Sequence, residues 1–127
     1  MSLALWCVLF AGLLPYFSVV AAKRSGGGYD NAAPREWAKS LEGFRQRAYA
    51  AHQNHFEFFP LFAAAVLVAE WKTGGGAGVD RLAAAIIACR LFYTGAYLAD
   101  KPTLRSIAWG FAMLGAIGLF VMAASGK

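Results

Sequence analysis

The stretch RAYAAHQNHFEFFPLFAAAVLVA, Arg47 to Ala69, decides the fold, because it joins a polar half to an apolar half without a break. Its fully apolar part, Phe58 to Ala69, is shorter than the roughly 20 helical residues that cross a bilayer. A membrane helix forms here only if it begins earlier, near Leu41 to Phe44. An arginine, two histidines, an asparagine and a glutamate then lie inside that helix.

The composition of the whole chain indicates a membrane protein with a single domain, residues 1–127. Of the 127 residues, 59% are hydrophobic and 15% are charged, whereas soluble domains are about 45 to 50% apolar. Cys7 and Cys89 lie in separate apolar runs, so we interpret them as buried hydrophobes rather than a disulfide or metal set. The net charge is +5, but no basic stretch carries the interleaved aromatics of nucleic-acid binding, and no nucleic-acid partner is predicted.

Four apolar stretches predict an all-α, up-down four-helix bundle in the membrane, with helices at about 3–22, 44–70, 82–99 and 105–124. The first stretch has a signal peptide as its alternative, but its positive charges, Lys23 and Arg24, follow the apolar core instead of preceding it. The segments SGGGYDNAAP, TGGGAG and DKPT have the composition of connections. Tryptophans near helix ends are expected to anchor the protein at the membrane surface, namely Trp37, Trp71 and Trp109.

The distribution of lysine and arginine predicts the orientation. Six lie between Lys23 and Arg47 and two lie at Lys101 and Arg105, whereas the second connection has only Lys72 and Arg81. Positive charge favours the cytoplasmic side, which places the first and third connections in the cytoplasm and both termini outside it. The brevity of the chain and of its connections favours a bacterial inner membrane.

Charged residues are costly in the hydrocarbon core and are usually paired there. Glu57 and Arg90 lie about 20 Å and 14 Å along their helices from the second connection, so we expect them to form an ion pair between helices. Such a pair either belongs to a functional site or only sets the helix register.

Helical spacing brings further polar residues to the same region. Asn54 and Glu57 share a face of the second helix, and Arg90, Tyr93 and Tyr97 share a face of the third. Together with Arg105 at the start of the fourth helix, they suit a small anionic ligand. No metal site is predicted, because the two histidines lack further ligands, and His52 is expected to bond to backbone or to a neighbouring subunit.

The residues that carry these patterns resemble one family. FRQRAYAAHQNHFEFFPLFAAA, Phe44 to Ala65, and ACRLFYTGAYLADKPTLRSIAW, Ala88 to Trp109, are similar to the membrane-associated proteins in eicosanoid and glutathione metabolism, the MAPEG family. YFSVVAAKR, Tyr16 to Arg24, looks like the end of that family's first helix. The chain resembles a bacterial-type member similar to the microsomal glutathione transferases and leukotriene-C synthase.

The resemblance implies a homotrimer in the membrane lipid that binds glutathione between subunits and acts on apolar electrophiles or lipid hydroperoxides. It implies that Arg105 is the catalytic residue, because a fixed cation lowers the pKa of the glutathione thiol and so produces the nucleophile. The residues implied in glutathione binding are Arg24, Arg47, Asn54, Glu57, Arg90, Tyr93, Tyr97 and Ser106.

One position departs from the family pattern. Four residues before Asn54, where the enzymes carry an arginine that grips a glutathione carboxylate, this chain has Ala50. Arg47, one turn earlier, or Arg45 can partly substitute for it. A non-catalytic membrane trimer that binds a lipid, another thiol or a protein partner is therefore the alternative function. A transport path built on Glu57 and Arg90 is disfavoured, because the chain shows no broken-helix repeat.

Overall fold

A computed structural model, which describes residues 1–126, shows a protein made of α-helices with no β-strand in that range. Its five helices are α1 (Leu3–Arg24), α2 (Pro34–Lys39), α3 (Gly43–Thr73), α4 (Ala77–Leu98) and α5 (Pro102–Ser125). The helix α3 begins before the polar residues of the opening stretch, as the length requirement predicted. The helices α4 and α5 begin a few residues earlier than predicted.

Between residues 1 and 126, three helices are long and apolar enough to cross a membrane, namely α1, α4 and α5. Large apolar side chains cover their outer faces, among them Leu9, Phe17, Phe111 and Leu114. The helix α3 has 31 residues and is about 46 Å long at 1.5 Å per residue. It therefore exceeds a hydrocarbon layer of about 30 Å, which leaves room for part of its polar first half outside that layer.

Small side chains allow the helices to approach each other closely. The core contains fully buried alanines on α3, α4 and α5, with larger residues such as Phe62 and Leu119 between them. At Gly115 of α5 an added Cβ would lie 2.6 Å from Cγ1 of Ile86 on α4. This contact leaves no space for a side chain, which is the usual reason for small residues between membrane helices.

The short helix α2 lies in a segment that the sequence predicted to be a connection. Pro34 is at its first position, where the missing N–H costs no helical hydrogen bond. Trp37 of α2 does not anchor the protein at the membrane surface as expected. It is only 7% exposed and packs edge-on against Tyr29 and Tyr49, with ring centres 4.9 and 6.2 Å away. The indole thus attaches α2 to the start of α3.

Two sets of contacts connect the helix ends. At one end, a carboxylate oxygen of Asp80 accepts a hydrogen bond from the backbone N–H of Ala4 at 2.8 Å, which stabilises the positive end of the α1 dipole. At the other end, α4 and α5 are joined by a tight turn in which Asp100 has a φ of 58°, a conformation that aspartate tolerates better than most residues. This turn brings the last turn of α4 next to the first turn of α5.

Candidate functional site

A cleft of about 290 Å³ lies where α3, α4 and α5 meet near that tight turn. It is lined by Asn54, Tyr93, Tyr97, Arg105, Ser106 and Trp109. The first five were predicted as site residues, and the structure brings them together. Trp109 was predicted only as a membrane anchor; it lines the cleft, and the residue is 41% exposed.

Two aromatic rings lie between two guanidinium groups in a row that begins in the cleft and ends behind it. The Arg105 Cζ lies 4.5 Å from the ring centre of Tyr97, and the rings of Tyr97 and Tyr93 meet edge to face at 5.6 Å. The Arg90 Cζ lies 4.2 Å from the ring centre of Tyr93. Contact with aromatic faces stabilises each cation without neutralising it. The contact with Tyr97 restricts the guanidinium of Arg105, which therefore places a positive charge at a fixed point in the cleft lining.

Arg90 lies behind the cleft and is only 1% exposed. Its guanidinium lies over the rings of both Phe58 and Tyr93, with Cζ 4.7 and 4.2 Å from the ring centres. The Nη2 atom donates to Oδ1 of Asn54 at 2.9 Å and to Nδ1 of His55 at 2.8 Å. Among residues 1–126, Nε and Nη1 have no hydrogen-bond partner. The buried charge is thus held by ring faces and neutral acceptors.

The predicted ion pair between Glu57 and Arg90 is wrong. Within the described residues the one ion pair is Lys39 with Glu36 at the surface. The side chain of Glu57 is exposed, and its Oε2 accepts a hydrogen bond from Nδ2 of Asn54 at 3.2 Å. Glu57 follows His55 by two positions, about 200° around the helix, so it faces away from α4 when His55 faces it. Asn54 connects the arginine to the carboxylate instead.

The other predicted binding residues lie outside this cleft. The guanidinium of Arg47 lies 3.4 Å from the carbonyl oxygen of Leu98, where it stabilises the negative end of α4. Arg24 is exposed at the end of α1. Arg45 donates to backbone carbonyls of Ala22 and the first connection. The roles of Arg47 and Arg24 in ligand binding therefore stay predictions.

The two histidines have different environments. His52 has its Nδ1 2.7 Å from the carbonyl oxygen of Pro15, and because that oxygen only accepts, Nδ1 carries the proton. The expectation that His52 bonds to backbone is confirmed. His55 is 3% exposed and its Nε2 lies 2.9 Å from the hydroxyl of Thr94.

Ala50 lies in a second cleft of about 490 Å³ between α2 and α3. Polar residues form much of its lining, namely Arg35, Lys39, Gln46, Tyr49 and Gln53. Ala50 contributes only a methyl group there, and the nearby positive charge comes from α2.

Comparison with known families agrees with the sequence and the fold. A family model described as the MAPEG family matches residues 3–125, nearly the whole chain. The chain belongs to the MAPEG family. Family membership and the three apolar helices show that it is an integral membrane protein. A comparison with curated proteins finds no match.

In this MAPEG chain, sequence reasoning missed two residues of the buried network behind the cleft. Thr94 follows Arg90 by four positions and lies on the face that already predicted Tyr93 and Tyr97, so the same spacing could have included it. The pairing of His55 with Arg90 has no comparable signal, because it depends on how α3 is rotated toward α4.

Proposed function

We propose that the protein binds glutathione in the cleft of Asn54, Tyr93, Tyr97 and Arg105 and transfers it to apolar electrophiles, or uses it to reduce lipid hydroperoxides. The observation that carries the proposal is the half-buried guanidinium of Arg105, which is held against Tyr97 and lines the cleft. MAPEG membership supports the substrate class.

The chemistry follows from the charge at Arg105. A free thiol with a pKa of about 8.5 is mostly protonated at neutral pH, and the thiolate is the nucleophile. A fixed guanidinium favours the thiolate, while the amide of Asn54 and the phenols of Tyr93 and Tyr97 offer hydrogen bonds to the rest of the ligand. Arg105 thus acts as the catalytic residue and the others orient the ligand.

The surroundings of the cleft suit an apolar second substrate. Next to Arg105 on α5, Leu104 and Ile107 are 45% and 50% exposed, and Trp109 lines the cleft while reaching the outer surface. An electrophile or hydroperoxide dissolved in the lipid therefore has an apolar route to the thiolate.

We further propose a homotrimer of up-down four-helix bundles in a bacterial inner membrane, with α3 as the fourth span and both termini outside the cytoplasm. The exposed carboxylate of Glu57 supports assembly, since it lies on α3 next to the apolar segment that begins at Phe58. A carboxylate facing lipid costs about 2.5 kcal/mol or more. Covering this face with a second copy removes that cost and adds polar groups to the ligand site.

A specific observation favours a second function, that of a non-catalytic trimer that binds a lipid, another thiol or a protein partner. Ala50 lacks the guanidinium that the family resemblance places there, and loss of one charge-assisted hydrogen bond weakens binding about 10- to 150-fold.

One experiment separates the two functions. Protein purified into lipid nanodiscs is titrated with glutathione by calorimetry and is then assayed with a nitroaromatic electrophile and with a lipid hydroperoxide. Binding together with turnover supports the transferase or peroxidase. Binding without turnover, or no response to glutathione, refutes the enzymatic proposal and favours the non-catalytic trimer. Native mass spectrometry of the same sample tests the trimer.

A further inference from the structure

A closed ring of hydrogen bonds lies behind the cleft and involves three side chains of α3 and α4. The Arg90 Nη2 contacts His55 Nδ1 at 2.8 Å, His55 Nε2 contacts the Thr94 hydroxyl at 2.9 Å, and that hydroxyl lies 2.9 Å from the backbone carbonyl of Arg90. Arg90 and His55 are 1% and 3% exposed. Water therefore has little access to the guanidinium and the imidazole.

The donor and acceptor properties of these groups determine where each hydrogen in the ring lies. A guanidinium only donates, so the Nδ1 of His55 accepts and carries no proton. A neutral imidazole then carries its proton on Nε2 and donates it to the oxygen of Thr94. The hydroxyl of Thr94 is left to donate to the carbonyl oxygen of Arg90, which only accepts. One tautomer of His55 satisfies all three contacts.

The ring has a consequence for Asn54, which lines the cleft. Arg90 donates to Oδ1 of Asn54, so the amide nitrogen points toward Glu57. A flipped amide would place its N–H groups against the guanidinium. One N–H of Asn54 is used by Glu57, and the second is available to a ligand in the cleft.

We propose that His55 and Thr94 are positioning residues for the ligand site. They hold the guanidinium of Arg90 in the orientation that makes Asn54 present an N–H, and not a carbonyl, to the cleft. The group of the ligand that meets Asn54 is accordingly an acceptor, a carboxylate or amide carbonyl oxygen. This inference rests on the proposed binding of glutathione, which carries such groups.

The binding test compares two variants of Thr94. Thr94→Val keeps the shape but removes the hydroxyl, and we expect about 5- to 10-fold weaker glutathione binding, with the effect on KM rather than kcat. Thr94→Ser restores the hydroxyl and should restore the affinity. Thr73→Val is the matched control, since the Thr73 hydroxyl bonds to the carbonyl of Ala69 at the far end of α3.

A double-mutant cycle separates positioning from a general loss of stability. If Thr94 acts through Asn54, the effect of Thr94→Val disappears in an Asn54→Ala background. An undiminished effect in that background, or a change in melting temperature without a change in affinity, overturns the proposal.

A ligand-free measurement tests the ring independently of glutathione. The chain has two histidines, so nitrogen-15 NMR of His52→Gln reports on His55 alone, and comparison with wild type assigns both residues. We expect a protonated Nε2 and an unprotonated Nδ1 on His55, and a weakened preference in Thr94→Val. A proton on Nδ1 refutes the inference. A wild-type protein with the expected tautomer but no affinity for glutathione refutes the proposed function alone.

Discussion

Replacement of Arg105 by alanine tests the proposed chemistry most directly. The guanidinium lies 4.5 Å from the ring centre of Tyr97 and faces the cleft. A thiol bound at a similar distance from the guanidinium would interact with its charge, whereas the alanine variant keeps the cleft but lacks the cation. Arg105→Lys is the matched control, because it keeps the charge and loses the planar contact with the ring.

The expected loss of rate in Arg105→Ala follows from the ionisation of the thiol. Two unit charges about 4 Å apart interact by about 4 kcal/mol at an effective dielectric constant of about 20. Arg105 is half-buried, so screening by water reduces this to about 2 kcal/mol, which lowers the thiol pKa from about 8.5 to about 7. At pH 7 the thiolate fraction then falls from about one half to about 3% when the charge is removed. The rate should drop about 15-fold.

The pH dependence of the rate shows whether Arg105 acts on the ionisation of the thiol. If Arg105 lowers the pKa of the bound thiol as proposed, the wild-type protein should be active near neutrality, whereas Arg105→Ala should regain its rate as the pH rises through about 8.5. Initial rates with a nitroaromatic electrophile at saturating glutathione, measured from about pH 6 to 10, should converge at the alkaline end. Parallel profiles for the two proteins, with the same loss at every pH, would show that Arg105 does not act on the thiol.

Three further changes test the site and the fold. Ala50→Arg restores the guanidinium that the family resemblance places at this position. If glutathione bound beside Arg105 extends to the cleft between α2 and α3, the substitution should tighten its binding about tenfold or more by calorimetry; unchanged affinity would show that the ligand does not reach this position. Asp80→Ala removes the charge-assisted bond to the first turn of α1 and should lower the free energy of unfolding by about 1 to 3 kcal/mol in detergent, while Asp80→Asn loses less. Gly115→Ala forces a Cβ against Ile86 and should cost about 1 to 3 kcal/mol. Gly110→Ala, which meets open space, should leave the melting temperature unchanged or raise it.

Local spacing predicted much of the candidate site. Tyr93 and Tyr97 were placed on one face because they lie four positions apart, and both line the cleft with Arg105. The long helix α3 was predicted because its apolar part alone is too short to cross a bilayer, and it begins at Gly43. These predictions succeeded because helical periodicity and bilayer thickness depend on residue order alone.

Predictions of individual contacts between helices were less successful. Helical rise placed Glu57 and Arg90 at similar depths, but depth does not specify rotation, and α3 turns His55 and Asn54 toward Arg90 instead. Trp37 likewise lies near a predicted helix end, yet it is buried because α2 folds back onto α3. Neither outcome follows from hydropathy, since both depend on which helix face meets its neighbour.

Residue order therefore sufficed for the all-helical membrane fold, the family and the set of polar residues gathered near the turn between α4 and α5. It sufficed because a bilayer penalises unpaired backbone and charge so strongly that few arrangements remain. The packed structure decided which acceptors hold Arg90, that Glu57 faces outward, and that His55 and Thr94 complete the network behind the cleft. Those contacts are set by the rotation and close approach of α3, α4 and α5, which the small residues of the core permit and which no single helix encodes.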